Sequence, residues 1–193
     1  MVVMSILEAW PPAGHLFTVD DLDRMPDDGR RYELLDGVLI VSPRPRVPHQ
    51  EVATELTMQL RAACPAELRV IPEPAVQLAR ITEFDPDIVV IHQDHIGDTR
   101  LTEPPLLIVE VRSPSTALID LNRKKTAYEE FGVPSYWIVD PDRDRPELTV
   151  FELGPRGQYV LEGRVTGTTP FPAKRPFEVE IVPARLVAGL FPS

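Results

Sequence analysis

The spacing of apolar residues along the chain predicts several short strands and two long helices. An Asp-Gly pair between two apolar runs indicates a β-hairpin over residues 31–41. Apolar residues three and four apart predict one helix over residues 48–63 and a second over 118–131, which ends at Gly132. A short capped helix is expected at residues 18–22, with Thr18 as the N-cap.

Three further runs are almost wholly apolar and rich in valine or isoleucine or both: residues 88–91, 106–111 and 135–140. Such runs are typical of central strands that are covered on both faces. Because the second long helix lies between the last two, those two strands are expected to be parallel. Residues 68–79 are predicted to form a strand interrupted near Pro72 and Pro74, and residues 147–180 alternate like further strands. The pattern predicts an α/β domain with a mixed central sheet flanked by helices.

Composition narrows the class of protein. The 193 residues fit a single domain over residues 1–193. A single cysteine, Cys64, cannot form an internal disulfide, which is consistent with the reducing cytoplasm. No apolar run reaches the roughly 18 residues of a membrane span. The net charge of −10 argues against broad attraction to nucleic acid without metal. It leaves open an enzyme that gathers basic residues on one face and uses bound cations.

Three charged residues occupy positions where a core is expected. Asp87 precedes the apolar run at 88–91, Glu110 lies near the end of the run at 106–111, and Lys124 lies inside the second long helix. Since an unpaired buried charge is costly, such residues pair with one another, hold a metal or act in catalysis. A turn residue after proline is the alternative for Asp87.

Helix geometry separates two adjacent lysines. At 100° per residue, with Tyr128 at 0°, Leu121 lies at about +20°, Lys124 at about −40°, Phe131 at about −60° and Lys125 at about +60°. Lys124 therefore falls inside the apolar arc and Lys125 outside it. The alternative is that the ammonium of Lys124 extends past the rim of the arc to solvent.

The two carboxylates can reach one cation if their strands are neighbours. Magnesium is held typically by one or two carboxylates together with waters and substrate phosphates. It lowers the pKa of water and stabilises charge on a phosphoryl oxygen, while a nearby ammonium can orient the attacking water or neutralise that charge. This division of roles suits phosphodiester hydrolysis. Arg44 and Arg46 either contact phosphates or are merely solvated, and His49 either starts a helix or contacts a phosphate.

An ordered set of motifs over about residues 15–191 resembles the bacterial "putative restriction endonuclease" family, a branch of the PD-(D/E)XK nuclease superfamily. The matching residues are Tyr32-Glu33-Leu34-Leu35-Asp36-Gly37, His49, Pro86-Asp87, Ile108-Val109-Glu110-Val111-Arg112-Ser113-Pro114-Ser115, Asp120, Lys124, Tyr128, and residues 132–141, Gly-Val-Pro-Ser-Tyr-Trp-Ile-Val-Asp-Pro. Each motif is weak alone, and their order along the chain is specific.

The resemblance implies a restriction-endonuclease-like core with an N-terminal β-hairpin and a catalytic site of Asp87, Glu110 and Lys124. It implies Mg²⁺, or Mn²⁺ in its place, held by Asp87 and Glu110. Glu33 matches a position that completes the metal site, the alternative being an exposed acid on the hairpin. Arg112 stands where the superfamily's lysine is expected and is an alternative to Lys124.

For function, the resemblance implies a metal-dependent endonuclease that acts on DNA as a cytoplasmic homodimer, by analogy with nucleases that cut two strands. A catalytically silent binding or regulatory module of the same fold is the main alternative, and the acidic net charge favours it. A hydrolase of small phosphoesters is a third possibility.

Overall fold

The computed structural model describes residues 14–113 and 119–190, with the side chains of residues 119–121 left out. The elements, in chain order, are α1 (Val19–Leu22), β1 (Arg31–Leu35), β2 (Val38–Ser42), α2 (Val47–Ala63), β3 (Leu68–Pro72), β4 (Val76–Ala79), β5 (Thr82–Phe84), β6 (Ile88–His92), a 3₁₀ turn (Gln93–His95), β7 (Leu107–Val111), α3 (Ile119–Phe131), β8 (Ser135–Asp140), β9 (Glu147–Leu153), β10 (Tyr159–Thr166), β11 (Phe171–Ala173), β12 (Val179–Ile181) and α4 (Pro183–Leu186).

A six-stranded sheet forms the centre of the molecule, with strand order β10-β9-β8-β7-β6-β3. Strands β7 and β8 are parallel and are joined by the crossover through α3, as the sequence predicts. The other pairs are antiparallel, so the sheet is mixed. Every residue of β7 is buried, and so are four of the five in β6, which confirms that both are central strands.

A second sheet of four antiparallel strands, in the order β2-β1-β5-β4, contains the predicted hairpin. Its turn places Asp36 at φ 51° and Gly37 at φ 78°, the left-handed geometry that an Asp-Gly pair favours. The interrupted strand predicted at residues 68–79 divides between the two sheets, because β3 pairs with β6 whereas β4 pairs with β5. A third sheet consists of β11 and β12.

The side chains of the central sheet alternate between two hydrophobic clusters. Ile88, Val90 and Val109 pack on one face, against α2. Val89 and Ile108 pack on the other face, with residues of α3, β4 and β5. Polar groups that face the second cluster are therefore enclosed between the central sheet, α3 and the four-stranded sheet.

The helices agree closely with the sequence prediction. Helix α1 has the predicted capping box between Thr18 and Asp21. Helix α2 begins one residue before the predicted start, and α3 ends before Gly132, whose φ is 86°. Leu118, the side chains of Asp120 and Leu121, and the Pro114 and Ser115 positions lie outside the described residues. None of the helices in the described ranges combines the length and the apolar character that a membrane crossing requires.

Candidate active site

Strand alternation brings Asp87 and Glu110 to the same face of the central sheet. Glu110 is two residues after Ile108 and therefore shares its face, and Asp87 shares the face of Val89 in the same way. The β6–β7 register pairs Ile88 with Val109, and one further step along this register sets Asp87 beside Glu110. Both carboxylates are nearly inaccessible, with exposures of 1% for Asp87 and 5% for Glu110. The expectation that their strands are neighbours is confirmed.

Polar groups from three elements hold the Asp87 carboxylate. Its Oδ2 accepts a hydrogen bond of 2.7 Å from the Val111 N–H and lies 3.2 Å from His49 Nε2. Its Oδ1 lies 3.5 Å from Arg31 Nη1 and accepts no hydrogen bond within the described residues. Burial alone raises the pKa of Asp87, but these donors and the charges of His49 and Arg31 outweigh burial and hold it below its ordinary value. Asp87 is therefore ionised at neutral pH.

Lys124 reaches the same buried space from α3. Its Nζ lies 2.7 Å from Glu33 Oε1 and 3.3 Å from Glu110 Oε1, and it also lies 5.2 Å from the centre of the Phe84 ring. The side chain is only 5% exposed, so it does not extend to solvent. Lys125 takes a different course, with its Nζ 3.7 Å from the centre of the Phe151 ring. The angular argument for the inward lysine is confirmed.

The Glu110 carboxyl is surrounded by groups that shift its pKa in opposite directions. The hydroxyl of Tyr128 donates a 2.8 Å hydrogen bond to its Oε1, the same atom that faces Lys124. Burial raises the pKa of Glu110 to about 7; Lys124 and Tyr128 oppose this rise, and the negative charges of Asp87 and Glu33 add to it. A carboxyl with this pKa exchanges its proton near neutral pH.

Glu33 is part of the same cluster. It is 3% exposed, so the alternative of an exposed hairpin acid is wrong. Its Oε1 accepts hydrogen bonds from Lys124 Nζ and from the Asp85 N–H, the latter at 3.0 Å. Burial and the nearby charge of Glu33 raise the pKa of Asp85 to about 7. The pairing of β1 with β5 carries Glu33 to this position, a long-range contact that the local sequence does not encode.

Other candidate residues lie beside the cluster or away from it. Arg112 forms an ion pair with Asp140 on β8. His49 contacts Asp87 directly, which the sequence left undecided. Arg31 was not foreseen as a site residue. The signal for it is the two-residue repeat of β1, which sets Arg31 on the same face as Glu33.

The donor chemistry of the pair fits a hard cation. Asp87 and Glu110 offer carboxylate oxygens, the ligand type that magnesium prefers, and two carboxylates are enough for a site completed by water and substrate. The buried Oδ1 of Asp87, which accepts no hydrogen bond in the described part of the chain, is an available donor atom. No group of three or more His, Cys, Asp and Glu side chains is arranged as metal ligands in residues 14–113 and 122–190.

Comparison with known proteins agrees with this architecture. The crystal structure of "a putative nuclease belonging to DUF820 from Anabaena variabilis ATCC 29413" matches with a TM-score of 0.68 at 17% identity, over 91% of this chain and 99% of that chain. This likeness confirms the restriction-endonuclease-like α/β fold. No curated protein matches the chain in sequence. The model of the Uma2 family, described as "Putative restriction endonuclease", matches residues 19–184. The chain therefore belongs to the Uma2 family of nuclease-like proteins.

Proposed function

We propose that this protein is a Mg²⁺-dependent endonuclease that hydrolyses phosphodiester bonds in DNA. The observation that carries the proposal is the convergence of Asp87, Glu110 and Lys124 on one buried face between the central sheet and α3. Burying three charged groups together is costly, and active sites are where such arrangements recur. Membership in a nuclease family supplies the reaction class.

The side chains have separate roles in this proposal. Asp87 and Glu110 would hold the cation, and Mn²⁺ can replace Mg²⁺. Glu33 is the further candidate ligand, although the three acids are not grouped as metal ligands in the described residues. The bound cation supplies Lewis-acid stabilisation of charge on the phosphoryl oxygen and lowers the pKa of water. The Lys124 ammonium orients the attacking water or neutralises charge on the phosphoryl oxygens. Tyr128 fixes Glu110 by its hydrogen bond, and His49 fixes Asp87.

A catalytically silent binding module of the same fold is the second candidate. The observation that favours it is the pairing of Lys124 with both Glu33 and Glu110, because these contacts satisfy the buried ammonium without a metal. In that reading the charged cluster specifies the packing of α3 on the sheets and has no catalytic role. A hydrolase of small phosphoesters would bind metal and leave DNA intact.

The proposal includes three features of the protein's setting. DNA is the substrate, the protein acts in the cytoplasm, and it functions as a homodimer because cutting both strands of a duplex suits two copies of one site. Light scattering at several protein concentrations tests the dimer, and a monomer at every concentration would remove it.

Plasmid nicking tests the enzyme proposal directly. Wild type is expected to nick supercoiled DNA in Mg²⁺ or Mn²⁺ and not in EDTA, and Asp87→Ala is expected to be inactive. Asp98→Ala is the matched control, since Asp98 is an exposed acid outside the cluster. Equal metal-dependent nicking by Asp87→Ala and wild type would remove Asp87 from the reaction, and no nicking by either would favour the binding module.

A further inference from the structure

A polar cleft of about 340 Å³ opens beside the buried carboxylates. Its walls carry three arginines, Arg30, Arg31 and Arg44, and three acids, Asp27, Glu73 and Asp85, and Gly29 forms part of the loop at its edge. Arg31 connects the cleft to the site, because its Nη1 lies 3.5 Å from Asp87 Oδ1. One guanidinium therefore separates a group bound in the cleft from the carboxylate that is proposed to hold the metal.

The three arginines of the cleft differ in how their charges are paired. Arg30 binds Asp28 through Nε at 2.8 Å, and Arg31 binds Glu73 through Nη2 at 2.9 Å. Arg44 donates only to a backbone carbonyl, that of Gly29, at 2.9 Å, and it makes no ion pair with any residue that the structure describes. Its exposed guanidinium keeps a net positive charge and further N–H donors for a ligand in the cleft.

The loop that contains Gly29 leaves space for the Arg44 guanidinium. Gly29 has φ 81°, and a Cβ added there would lie 2.8 Å from Arg44 Nε and 3.1 Å from Arg44 Nη2. A side chain at this position would therefore displace Arg44. Asp28 stiffens the loop on the other side by accepting hydrogen bonds from the Arg30 N–H and the Tyr32 hydroxyl. The absence of a side chain at Gly29 gives Arg44 its place at the edge of the cleft.

We propose that this cleft is a subsite for a backbone phosphate of the DNA strand next to the bond that is cut, with Arg44 as the residue that contacts the phosphate. The inference rests on the proposed function, since DNA is the ligand that supplies the phosphate. A planar guanidinium with several donors matches a phosphate oxygen pair, and Arg44 is the cleft arginine whose charge no described acid already neutralises. Gly29 is a positioning residue that acts through Arg44.

Binding of a short labelled DNA duplex, measured by fluorescence anisotropy in EDTA at low salt, tests the subsite without cleavage. Arg44→Ala is expected to weaken binding about tenfold and to lower the slope of log affinity against log salt by about one. Arg44→Lys is expected to recover only part of the affinity, because lysine keeps the positive charge but lacks the paired N–H donors of the guanidinium. Arg69→Ala is the control, since Arg69 is also exposed and also donates to backbone carbonyls.

Substitution of Gly29 in the loop gives an independent test of the subsite. Gly29→Ala is expected to weaken binding in the same direction, and the double variant Gly29→Ala/Arg44→Ala is expected to bind no more weakly than Arg44→Ala alone. Gly157→Ala controls for backbone strain, because Gly157 has φ 70° and no atom within 4 Å of an added Cβ. Thermal unfolding of both glycine variants establishes that they are folded at the assay temperature.

The outcomes separate the two proposals. If wild type cleaves DNA while Arg44→Ala binds the duplex as Arg69→Ala does, the subsite is overturned and the nuclease stands. If wild type does not cleave DNA while Arg44→Ala still weakens binding, the nuclease fails and the cleft stands as a phosphate site without a cutting role. Equal competition by inorganic phosphate and by chloride at matched ionic strength would also overturn the subsite, because a phosphate site must favour phosphate.

Discussion

Lys124 and Lys125 are adjacent on α3 and have unlike surroundings, which makes them a matched pair. Lys124 is buried between Glu33 and Glu110, whereas the Lys125 ammonium lies over the Phe151 ring. Lys124→Ala is expected to abolish metal-dependent nicking, and Lys125→Ala is expected to keep it. Equal loss in both variants, or loss in Arg112→Ala alone, would show that a different cation serves the reaction.

The Lys124 variant needs a control for folding, because removing one partner of a buried ion pair costs about 3–5 kcal/mol of stability. Lys124→Met keeps most of the side-chain volume and removes the charge. We expect both Lys124 variants to be inactive under conditions where circular dichroism shows them folded. Nicking by a folded Lys124→Met protein would assign the lysine to structure alone.

Glu110 makes the stability of the metal-free protein depend on pH. Its pKa rises from 4.5 to about 7 on folding, so the folded state binds more protons between these values. The stability that this group contributes is therefore present below about pH 4.5 and is lost as the pH rises through 7. Glu110→Gln removes this dependence. The free energy of unfolding of the variant, minus that of wild type, should therefore increase from pH 4.5 to pH 8 by on the order of 3 kcal/mol.

Urea unfolding in EDTA at several pH values measures this difference. Asp85, whose pKa is raised by burial to about 7, and His49, whose pKa is raised, against the effect of burial, by its contact with Asp87, are present in wild type and in Glu110→Gln, so their effects largely cancel in the comparison. EDTA is essential because a bound cation would favour the ionised carboxylate. Parallel stability curves for the two proteins would show that Glu110 keeps an ordinary pKa in the fold.

The β1–β2 hairpin sets the position of Glu33 through its register. Glu33 pairs with Ile40, and a slip by one residue would turn Glu33 away from Lys124. Gly37→Ala is expected to cost more stability than Gly132→Ala, although both glycines have a positive φ. An added Cβ at Gly37 would meet Leu16 Cβ at 2.8 Å, whereas at Gly132 it meets nothing within 4 Å.

Urea unfolding separates the two costs. Gly132→Ala should lose about 1 kcal/mol from backbone strain alone, and Gly37→Ala should lose about twice that or more. The Gly37 variant is also expected to lose nicking activity, because a shifted hairpin would move Glu33 away from Lys124. Equal losses of stability would mean that Leu16 moves aside at no cost.

Sequence patterns predict the elements that carry Asp87, Glu110 and Lys124, because each lies in a segment with strong local periodicity. The apolar runs of β6 and β7 and the arc of α3 are local signals, and the structure confirms them. Strand β5 gives no such signal. It has three residues, Thr82–Phe84, and its central Glu83 is buried against Arg100.

The burial of Glu33 depends on the pairing of β1 with β5, so the local sequence around Glu33 does not predict it. Only the pairing of β1 with β5 shows that the hairpin belongs to a sheet packed near α3. The same holds for Arg31 and His49, which meet Asp87 from β1 and α2. Contacts between distant segments need the tertiary arrangement, and a single sequence gives no direct measure of it.

At the scale of the whole molecule, the net charge of −10 opposes the approach of DNA, and the acids of the site concentrate that repulsion where a phosphate must bind. Asp87 also engages the Arg31 guanidinium and the His49 imidazole. A bound cation would offset the acids, so we expect DNA affinity to depend on divalent metal as well as on salt.

Removing the Asp87 charge should therefore have opposite effects on binding and on cleavage. In EDTA, Asp87→Asn is expected to bind a DNA duplex about threefold more tightly than wild type, because one repulsive charge is lost and Arg31 is released toward the phosphate. In Mg²⁺ the same variant should not cut. Asp98→Asn removes an equal charge from an exposed position and should change metal-free affinity less. If the two variants bind alike in EDTA, DNA does not approach Asp87, and the acids of this cluster stabilise the fold without serving a nuclease.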